Sequence, residues 1–305
     1  PALLLFLSGI LIGITFKLTL PNSISKYLGY YLLLSLGLKG GLSLQENGFI
    51  NEVISVLSLG VIFALLIPAV AYFYLKNLLN TDDAAALSGT YGSVSAVTFV
   101  TAIAYLSTTS QDFDNYMSAV LVVMEFPAIF MALYLVTHNK NDNNNLKNIK
   151  TAFLEIPNII LISSLFVGYF VSKKTLSNLD YLIVTIFDYL LYIFLFVMGT
   201  RVAKRIGELK GRGVSLIAFA LLMPLIGSFI SLLASIYFGL SIGNATLLMV
   251  LTASASYIAV PAVVKDAIPD ANPAIYLGLS LGVTFPFNII VGIPLYNELA
   301  KYFIG

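Results

Sequence analysis

The sequence predicts an all-α polytopic membrane protein with about ten transmembrane helices. Two observations carry this prediction. The chain is 59% hydrophobic and only 10% charged, and its mean hydropathy is +0.94, far from the balance of a soluble globular domain. Its apolar segments are also long enough for helices of roughly 20 residues to cross a bilayer, and they lack the alternating polarity of transmembrane strands.

The apolar segments fall into two sets of five. In the first half the expected spans are Leu3–Leu20, Ile24–Leu44, Ile54–Leu75, Ala84–Leu106 and Tyr116–Val136. In the second half they are Ile156–Val171, Leu182–Val202, Val214–Phe238, Ala245–Val264 and Ala274–Leu299. Several spans contain proline, which membrane helices tolerate because neighbouring helices and hydroxyl side chains satisfy the freed carbonyl groups.

Short segments recur in the two halves in the same order. Phe63–Pro68 (FALLIP) is matched by Phe219–Pro224 (FALLMP), 156 positions later, and Pro127 is matched by Pro286, 159 positions later. One such match is common in so apolar a chain, but several with similar offsets indicate an internal repeat.

The number of spans per repeat determines their relative orientation. Five is odd, so the second repeat must enter the membrane upside down relative to the first. We therefore predict two inverted repeats of five helices, residues 1–137 and 154–305. The polar, Asn- and Lys-rich tract 138–153 is expected to be a cytoplasmic linker.

The basic residues predict the sidedness. If the chain starts outside, twelve of the 16 Lys and Arg residues lie on the inner side. By the positive-inside rule that side is the cytoplasm, and both termini are extracytoplasmic. Lys39 and Arg201 occupy equivalent repeat positions near span ends, where we expect them to extend to the interface as anchors, with contact to the substrate as the alternative.

The spans Ala84–Leu106 and Ala245–Val264 each contain a run rich in Gly, Ala, Ser and Thr. The first is SGTYGSVSAVT, with Ser93 and Ser95, and the second is LTASASYIAVPA, with Ser254 and Ser256, 161 positions later. Small hydroxyl residues in a span permit close helix packing or let a helix break around a polar ligand. Two copies related by inversion favour a binding site.

A break in each helix would create two kinds of ligand group. The free N–H groups of a half-helix N-terminus favour an anion, and exposed carbonyl and hydroxyl oxygens suit a hard cation such as sodium. The expected anion-binding residues are Gly92, Ser93, Val94, Ser95, Ala96, Ser254, Ala255, Ser256 and Tyr257. The candidate sodium ligands are Ser93, Ser95, Thr98, Thr101, Glu125, Ser254 and Ser256.

Glu125 is included because it is the one acidic residue expected near the centre of a span. An ionisable group there is costly and often marks an ion pathway, although a protonated acid that bonds a neighbouring helix is the alternative. The hypothesis is that Glu125 helps to hold a cation or relays a proton.

Other classes of function find little support. The chain has no cysteine, which excludes disulfides and thiol chemistry, and its formal net charge of +1 gives no indication of a nucleic-acid partner. The single histidine, His138, falls in the predicted linker, so a serine nucleophile within a span lacks a partner base, and no H-E-x-x-H sequence is present. A channel would not require broken helices in inverted repeats, although it could contain them. A carrier is therefore favoured, and an enzyme is not expected.

At these residues the chain resembles the sodium-dependent bicarbonate transporters first known from cyanobacteria. The similarity lies in GSVSAVT, in ASASYIAVPA, in the acid two residues before Pro127 and in the GLKGG run of the second span, and it extends over essentially the whole chain in order. It implies crossing broken helices, separate core and gate domains, a homotrimer in a bacterial inner membrane, and sodium-coupled bicarbonate uptake by an elevator-like movement. The helices between which substrate and sodium would lie correspond to Gly92–Thr98 and Ala253–Tyr257.

The chain also departs from that family. Better-known members carry a longer segment between the repeats, where a trimeric nucleotide-sensing PII-like protein docks, and the short tract here counts against such a partner. The first run also has fewer small residues than the cyanobacterial versions. Two alternatives stay open: a carrier of the same fold for another small anion, or a proton-coupled carrier that uses Glu125. No cofactor is expected apart from sodium as the coupling ion.

Overall fold

The computed structural model describes residues 2–18, 20–140, 156–171, 186–208, 213–258, 260–261, 263–264 and 268–305, and within these ranges it is helical without a strand. The helices are α1 (Ala2–Thr15), α2 (Asn22–Asn47), α3 (Asn51–Leu75), α4 (Thr81–Gly92), α5 (Ala96–Thr108), α6 (Met117–Lys140), α7 (Ile156–Phe170), α8 (Ile186–Glu208), α9 (Val214–Phe238), α10 (Ile242–Ala253) and α11 (Pro273–Ile304). The predicted all-α class is thus confirmed for the described residues.

Five helical segments of the described chain are long and apolar enough to cross a bilayer. They are α3, the α4–α5 pair Thr81–Thr108, Ile186–Arg205 of α8, α9 and α11. Helices α1, α7 and α10 are apolar but shorter. Large apolar side chains on α3 and α9 point outward, among them Phe73 and Phe229, both more than half exposed. Such a surface suits lipid rather than water, and the chain is a multi-pass membrane protein.

Several span ends differ from the prediction. Helix α1 stops at Thr15 instead of Leu20, and α6 continues to Lys140, so the first residues of the predicted linker are helical. The remainder of that linker, 141–153, lies outside the described residues. The start predicted for the span at Leu182 is also outside them, and α8 is described from Ile186.

The helices pack in two groups. Helix α1 packs along α8, and α2 packs along α7, while α3–α6 pack with α9–α11. Glycines permit the close contacts of the first group: a Cβ at Gly199 would lie 2.8 Å from the Ile10 amide nitrogen, and one at Gly41 would lie 2.6 Å from the Tyr169 amide nitrogen. Small residues at such contacts let helix backbones approach without a hydrophobic driving force.

Helices α4 and α10 begin in similar ways. The side chain of Asn80 accepts a hydrogen bond from the Asp83 N–H at the start of α4, and Ser241 accepts one from the Asn244 N–H at the start of α10. Each cap satisfies a backbone donor that the first helical turn leaves unpaired. Both helices have 12 residues and end within the two runs, directly before Ser93 and Ser254.

The first turns of these two helices are tied to the starts of other helices. Asp83 Oδ1 accepts from the Asn272 N–H at 2.6 Å, just before α11. Asn244 Oδ1 accepts from the Asp114 N–H at 2.9 Å, shortly before α6, and the Asn244 amide donates to Tyr116 Oη at 2.9 Å. These bonds fix the outer ends of both half-helices against the rest of their packing group.

Candidate functional site

Both serine runs break their helices, as predicted. Ser93 ends α4 with φ −88° and ψ 170°, and Ser254 ends α10 with φ −84° and ψ 164°. These extended conformations stop the helical hydrogen-bond ladder in the middle of the packed helices, and backbone groups there need other partners.

The two breaks meet and exchange hydrogen bonds. The Ser95 N–H donates to Ser254 Oγ at 2.9 Å, and the Ser256 N–H donates to the Thr90 carbonyl at 2.8 Å. All four residues are buried. The structure therefore brings together two runs that are far apart in the chain, and most of their polar backbone groups lie out of reach of lipid.

Helix α5 starts at this crossing. Ser95 caps it, because its Oγ accepts from the Thr98 N–H at 3.2 Å and from Thr98 Oγ1 at 2.9 Å. The first residues of α5, Ala96 and Val97, line a cavity. An N-terminus in this position directs positive dipole ends toward the crossing, where an anion is favoured.

Ser256 has a corresponding position after the second break. Its Oγ accepts from the Val260 N–H at 3.3 Å, where the chain is helical again. The neighbouring Tyr257 is also buried, and its hydroxyl makes no hydrogen bond of normal geometry with any described residue, although it lies close to the Ser95 side chain. A buried phenol without a partner is available to a ligand.

Glu125 lies beside the crossing, on α6. Its side chain is 5% exposed, and its Oε2 accepts a hydrogen bond from Ser93 Oγ at 3.0 Å. The carboxylate also lies against the Val94 backbone N–H. The acid singled out from the sequence thus contacts the first serine run directly.

A small cavity of about 40 Å³ lies between these groups, with room for a small ion or a few waters. The candidate residues that line it are Val94, Ser95, Ala96, Glu125, Ser256 and Tyr257. The other candidates are buried nearby but do not line it: Gly92, Ser93, Thr98, Thr101, Ser254 and Ala255.

Several of those other candidates have packing or hydrogen-bonding roles in this structure. A Cβ at Gly92 would lie 2.5 to 2.9 Å from three atoms of the Pro68 ring, so this glycine allows α4 to contact α3. The hydroxyl of Ser254 donates to the Leu251 carbonyl at 2.9 Å, and that of Thr101 donates to the Val97 carbonyl at 2.8 Å.

Two amide side chains at the site were not among the residues expected from the sequence. Asn158 on α7 is 3% exposed and lines the small cavity together with Glu125. Asn288 on α11 donates to the Ala253 carbonyl at 2.8 Å and accepts from Tyr296 Oη at 2.9 Å, so it satisfies the end of α10. An amide within an apolar span was the available signal for both.

Helix α11 also contacts the site through a distorted segment. It contains two π-helical turns, Ser280–Thr284 and Asn288–Gly292. Thr284 Oγ1 donates to the Ala220 carbonyl at 2.7 Å and is also hydrogen-bonded to the hydroxyl of Tyr91, which lies two residues before the first break at Ser93. π-helical turns occur frequently at functional sites.

A second, larger cavity of about 460 Å³ adjoins the crossing. Ala96, Val97 and Tyr257 lie at its inner end, and Lys26, Arg201 and Arg205 are its charged lining residues. Arg201 was expected to be an interface anchor, but it lines this cavity, where its Nη2 donates to Asn22 Oδ1 at 2.8 Å.

The equivalent Lys39 lies at a separate cavity of about 270 Å³, formed by the ends of other helices, including α5 and the start of α8. Its Nζ is 4.6 Å from the centroid of the Phe187 ring. The cavity also includes Asp188, an exposed residue in the first turn of α8.

The donor set at the crossing suits an alkali cation better than a transition metal. The described residues contain no group of three or more His, Cys, Asp or Glu side chains that could hold a metal ion. The crossing instead offers hydroxyl, carbonyl and carboxylate oxygens, and hard cations prefer such ligands. It therefore combines oxygen ligands with a half-helix N-terminus.

Comparison with known proteins agrees with this chemistry. No curated protein matched the chain. A family model, described as the Na+-dependent bicarbonate transporter superfamily, matches residues 1–301, nearly the full length. The chain therefore belongs to the Na+-dependent bicarbonate transporter superfamily.

Proposed function

We propose that this protein imports bicarbonate together with sodium, and that both ions bind where the two helix breaks cross. The observation that carries the proposal is the pair of hydrogen bonds joining the breaks, Ser95 N–H to Ser254 Oγ and Ser256 N–H to the Thr90 carbonyl. They bring the N-terminus of α5 and the hydroxyl oxygens of Ser95 and Ser256 to one small cavity. The buried Glu125 lines the same cavity. The superfamily to which the chain belongs is the basis for naming bicarbonate and sodium as these ions.

The anion would bind at the start of α5. The N-terminal residues Ala96 and Val97 line the cavity, and the Tyr257 hydroxyl has no hydrogen-bond partner among the described residues. Donors of this kind stabilise a single negative charge without a fixed cation. Of the proposed anion-binding residues, Val94, Ser95, Ala96, Ser256 and Tyr257 are the best placed, because they line the cavity.

Sodium would bind on the Glu125 side of the same cavity. The carboxylate of Glu125 and the hydroxyl oxygens of Ser95 and Ser256 are the proposed ligands that line it. Ser93, Thr98, Thr101 and Ser254 stay in the proposal as supporting groups, because they are hydrogen-bonded beside the cavity but do not line it. A cation here would compensate the buried carboxylate, which is otherwise costly in a membrane protein.

Two inverted repeats account for the paired features of the fold. The capped starts of α4 and α10, at Asn80 and Ser241, are 161 positions apart, the same offset as that of the serine runs. The packing of α1 on α8 and of α2 on α7 is the exchange that a pseudo-two-fold axis produces. These observations support repeats at 1–137 and 154–305.

Transport is proposed to follow an elevator-like movement of one packing group against the other. Helices α3–α6 and α9–α11 would form the moving core that carries both breaks, and α1, α2, α7 and α8 would form the gate. The cavities of about 40 and 460 Å³ lie between residues of the two groups, as this movement requires. The proposed assembly is a homotrimer in a bacterial inner membrane, with both termini outside, as the basic residues predict.

The decisive experiment is uptake of labelled bicarbonate into proteoliposomes that contain the purified protein. We expect uptake with an inward sodium gradient and little uptake with potassium in its place. Uptake that depends on a proton gradient instead, and is lost on Glu125→Gln, would favour the proton-coupled alternative. Sodium-driven uptake of another small anion, without bicarbonate uptake, would contradict the proposed substrate.

A further inference from the structure

The cavity of about 460 Å³ has a strongly cationic lining. Its charged residues in the described chain are Lys26, Arg201 and Arg205, and none of its described lining residues is acidic. All three belong to the side that the positive-inside rule assigns to the cytoplasm. A cleft lined by charges of one sign concentrates ions of the opposite sign.

The Arg201 guanidinium is held in place but only partly satisfied. Its Nη2 donates to Asn22 Oδ1 at 2.8 Å and approaches the Asn22 carbonyl at 3.4 Å. Its Nε is buried and makes no hydrogen bond to any described residue. A buried donor without a partner is uncommon in native proteins, and a guanidinium presents its N–H groups in the planar arrangement that fits an oxyanion.

The cavity also lies on the route that a substrate would take. It extends from Asn22 and Lys26 in the first turns of α2 to Ala96 at the start of α5 and to Tyr257 beside the crossing. The N-terminal ends of α2 and α5 add positive dipole ends to the fixed charges. With about ten times the volume of the small cavity, it has space for an anion and water.

We propose that this cavity is a second anion site, in which Arg201 binds a small planar oxyanion such as bicarbonate between the crossing and the cytoplasmic side. The proposal rests on the proposed function and adds a residue that the serine runs do not contain. Lys26 and Arg205 raise the local concentration of the anion, and Arg201 binds it directly.

The test uses a single reporter cysteine, since the chain has none of its own. Leu277 lines the cavity and is half-buried, so Leu277→Cys places a thiol there without opening the core. Two methanethiosulfonate reagents of similar size, one anionic and one cationic, are reacted with it, and each rate is divided by that for a free thiol in solution. We expect the anionic reagent to be favoured by roughly tenfold or more.

Two variants of Arg201 show whether the preference for the anionic reagent depends on the charge of this side chain or on its packing. Arg201→Gln should reduce the preference for the anionic reagent by about five- to tenfold, the effect of one nearby charge on two probes of opposite sign. Arg201→Lys should keep most of it. Lys39→Gln is the matched control, because Lys39 holds the equivalent repeat position but lines a different cavity. This substitution should leave the preference for the anionic reagent unchanged.

Binding is tested with potassium bicarbonate at constant pH and ionic strength. It should slow the labelling of the reporter in a saturable manner, and this protection should be lost in Arg201→Gln. A preference near one, a preference that survives Arg201→Gln, or absence of protection would each overturn the second site. Sodium-driven uptake by the same reporter protein is measured separately, so failure of uptake with intact labelling results would count against the proposed function and not against this site.

Discussion

Replacing Glu125 by glutamine tests the sodium half of the proposed site. The side chain is 5% exposed, bonds Ser93 Oγ at 3.0 Å and lines the small cavity. Glutamine has nearly the same shape and keeps an oxygen that can accept from Ser93, so the substitution removes the charge and little else.

The expected magnitudes differ for binding and for folding. A sodium ion in so small a cavity lies about 4 Å or less from the carboxylate, and two unit charges at that distance interact by about 4 kcal/mol at an effective dielectric constant near 20. Loss of this attraction would weaken sodium binding by about a thousandfold. Folding should lose only about 1 kcal/mol for an altered hydrogen bond, and removal of an unpaired buried charge offsets part of that loss.

The assay is labelled bicarbonate uptake into proteoliposomes as a function of external sodium, together with thermal unfolding of each variant in detergent. Glu52→Gln is the matched control. Glu52 lies in the first turn of α3, where its Oε1 accepts from Tyr116 Oη at 2.8 Å, away from both cavities at the crossing. This control should lower the unfolding temperature and leave the sodium dependence unchanged.

Two results would contradict this role for Glu125. If Glu125→Gln folds stably and keeps the wild-type sodium dependence, Glu125 is a structural acid that holds the first serine run. If Glu52→Gln weakens sodium dependence equally, the effect reflects a general disturbance of the core helices and not a lost ligand.

Three further predictions concern the site, the helix starts and the topology. Ala255→Leu should abolish uptake and leave the oligomer intact in size-exclusion chromatography, because the added carbons overpack the buried crossing, where Ala255 is 3% exposed; normal uptake would show that the ions bind elsewhere. Asn244→Ala should lower the free energy of unfolding by about 2–3 kcal/mol in chemical denaturation, since it removes several buried hydrogen bonds, whereas Asn77→Ala, which removes one exposed bond, should change it by less than about 0.5 kcal/mol. Cysteines at the exposed positions Gln45 and Lys204 should react with impermeant reagents only from outside and only from the cytoplasm, respectively, and labelling from the same side would contradict the inverted topology.

The sequence was most informative where composition or duplication left few alternatives. The all-helical class follows from hydropathy, and the two breaks follow from the paired runs at Ser93 and Ser254. Glu125 could be identified because a charge in a span is so costly that few are present. Its contact with Ser93 is consistent with that argument.

The sequence could not predict which of the serine hydroxyl groups line the small cavity. All four serine hydroxyls make hydrogen bonds within the protein, but Ser95 and Ser256 line the small cavity, whereas Ser93 and Ser254, two positions earlier in each run, do not. That difference depends on which way each side chain points once the helix has ended, and a sequence pattern does not specify the direction of a side chain in irregular backbone.

The sequence also did not indicate that residues of α7 and α8 line the two cavities at the crossing. Asn158 and Arg201 meet the site only because α7 and α8 pack beside it, and nothing in the local sequence around either residue indicates that packing. Arg201 near the end of a span predicts an interface anchor by the usual rule. That rule gives no indication that Arg201 would also line a cavity within the protein.

The hydrogen bonds between the two breaks have a consequence for synthesis of the protein. Ser95 and its partner Ser254 are 159 residues apart. At translation rates of about 5–20 residues per second, Ser254 is therefore synthesised roughly 8–30 s after Ser95. During that interval the Ser95 N–H and the Thr90 carbonyl lack their final partners, and lipid supplies none. The first half must then be shielded by the insertion machinery or by water, and when expressed alone it should be recognised as incomplete and degraded.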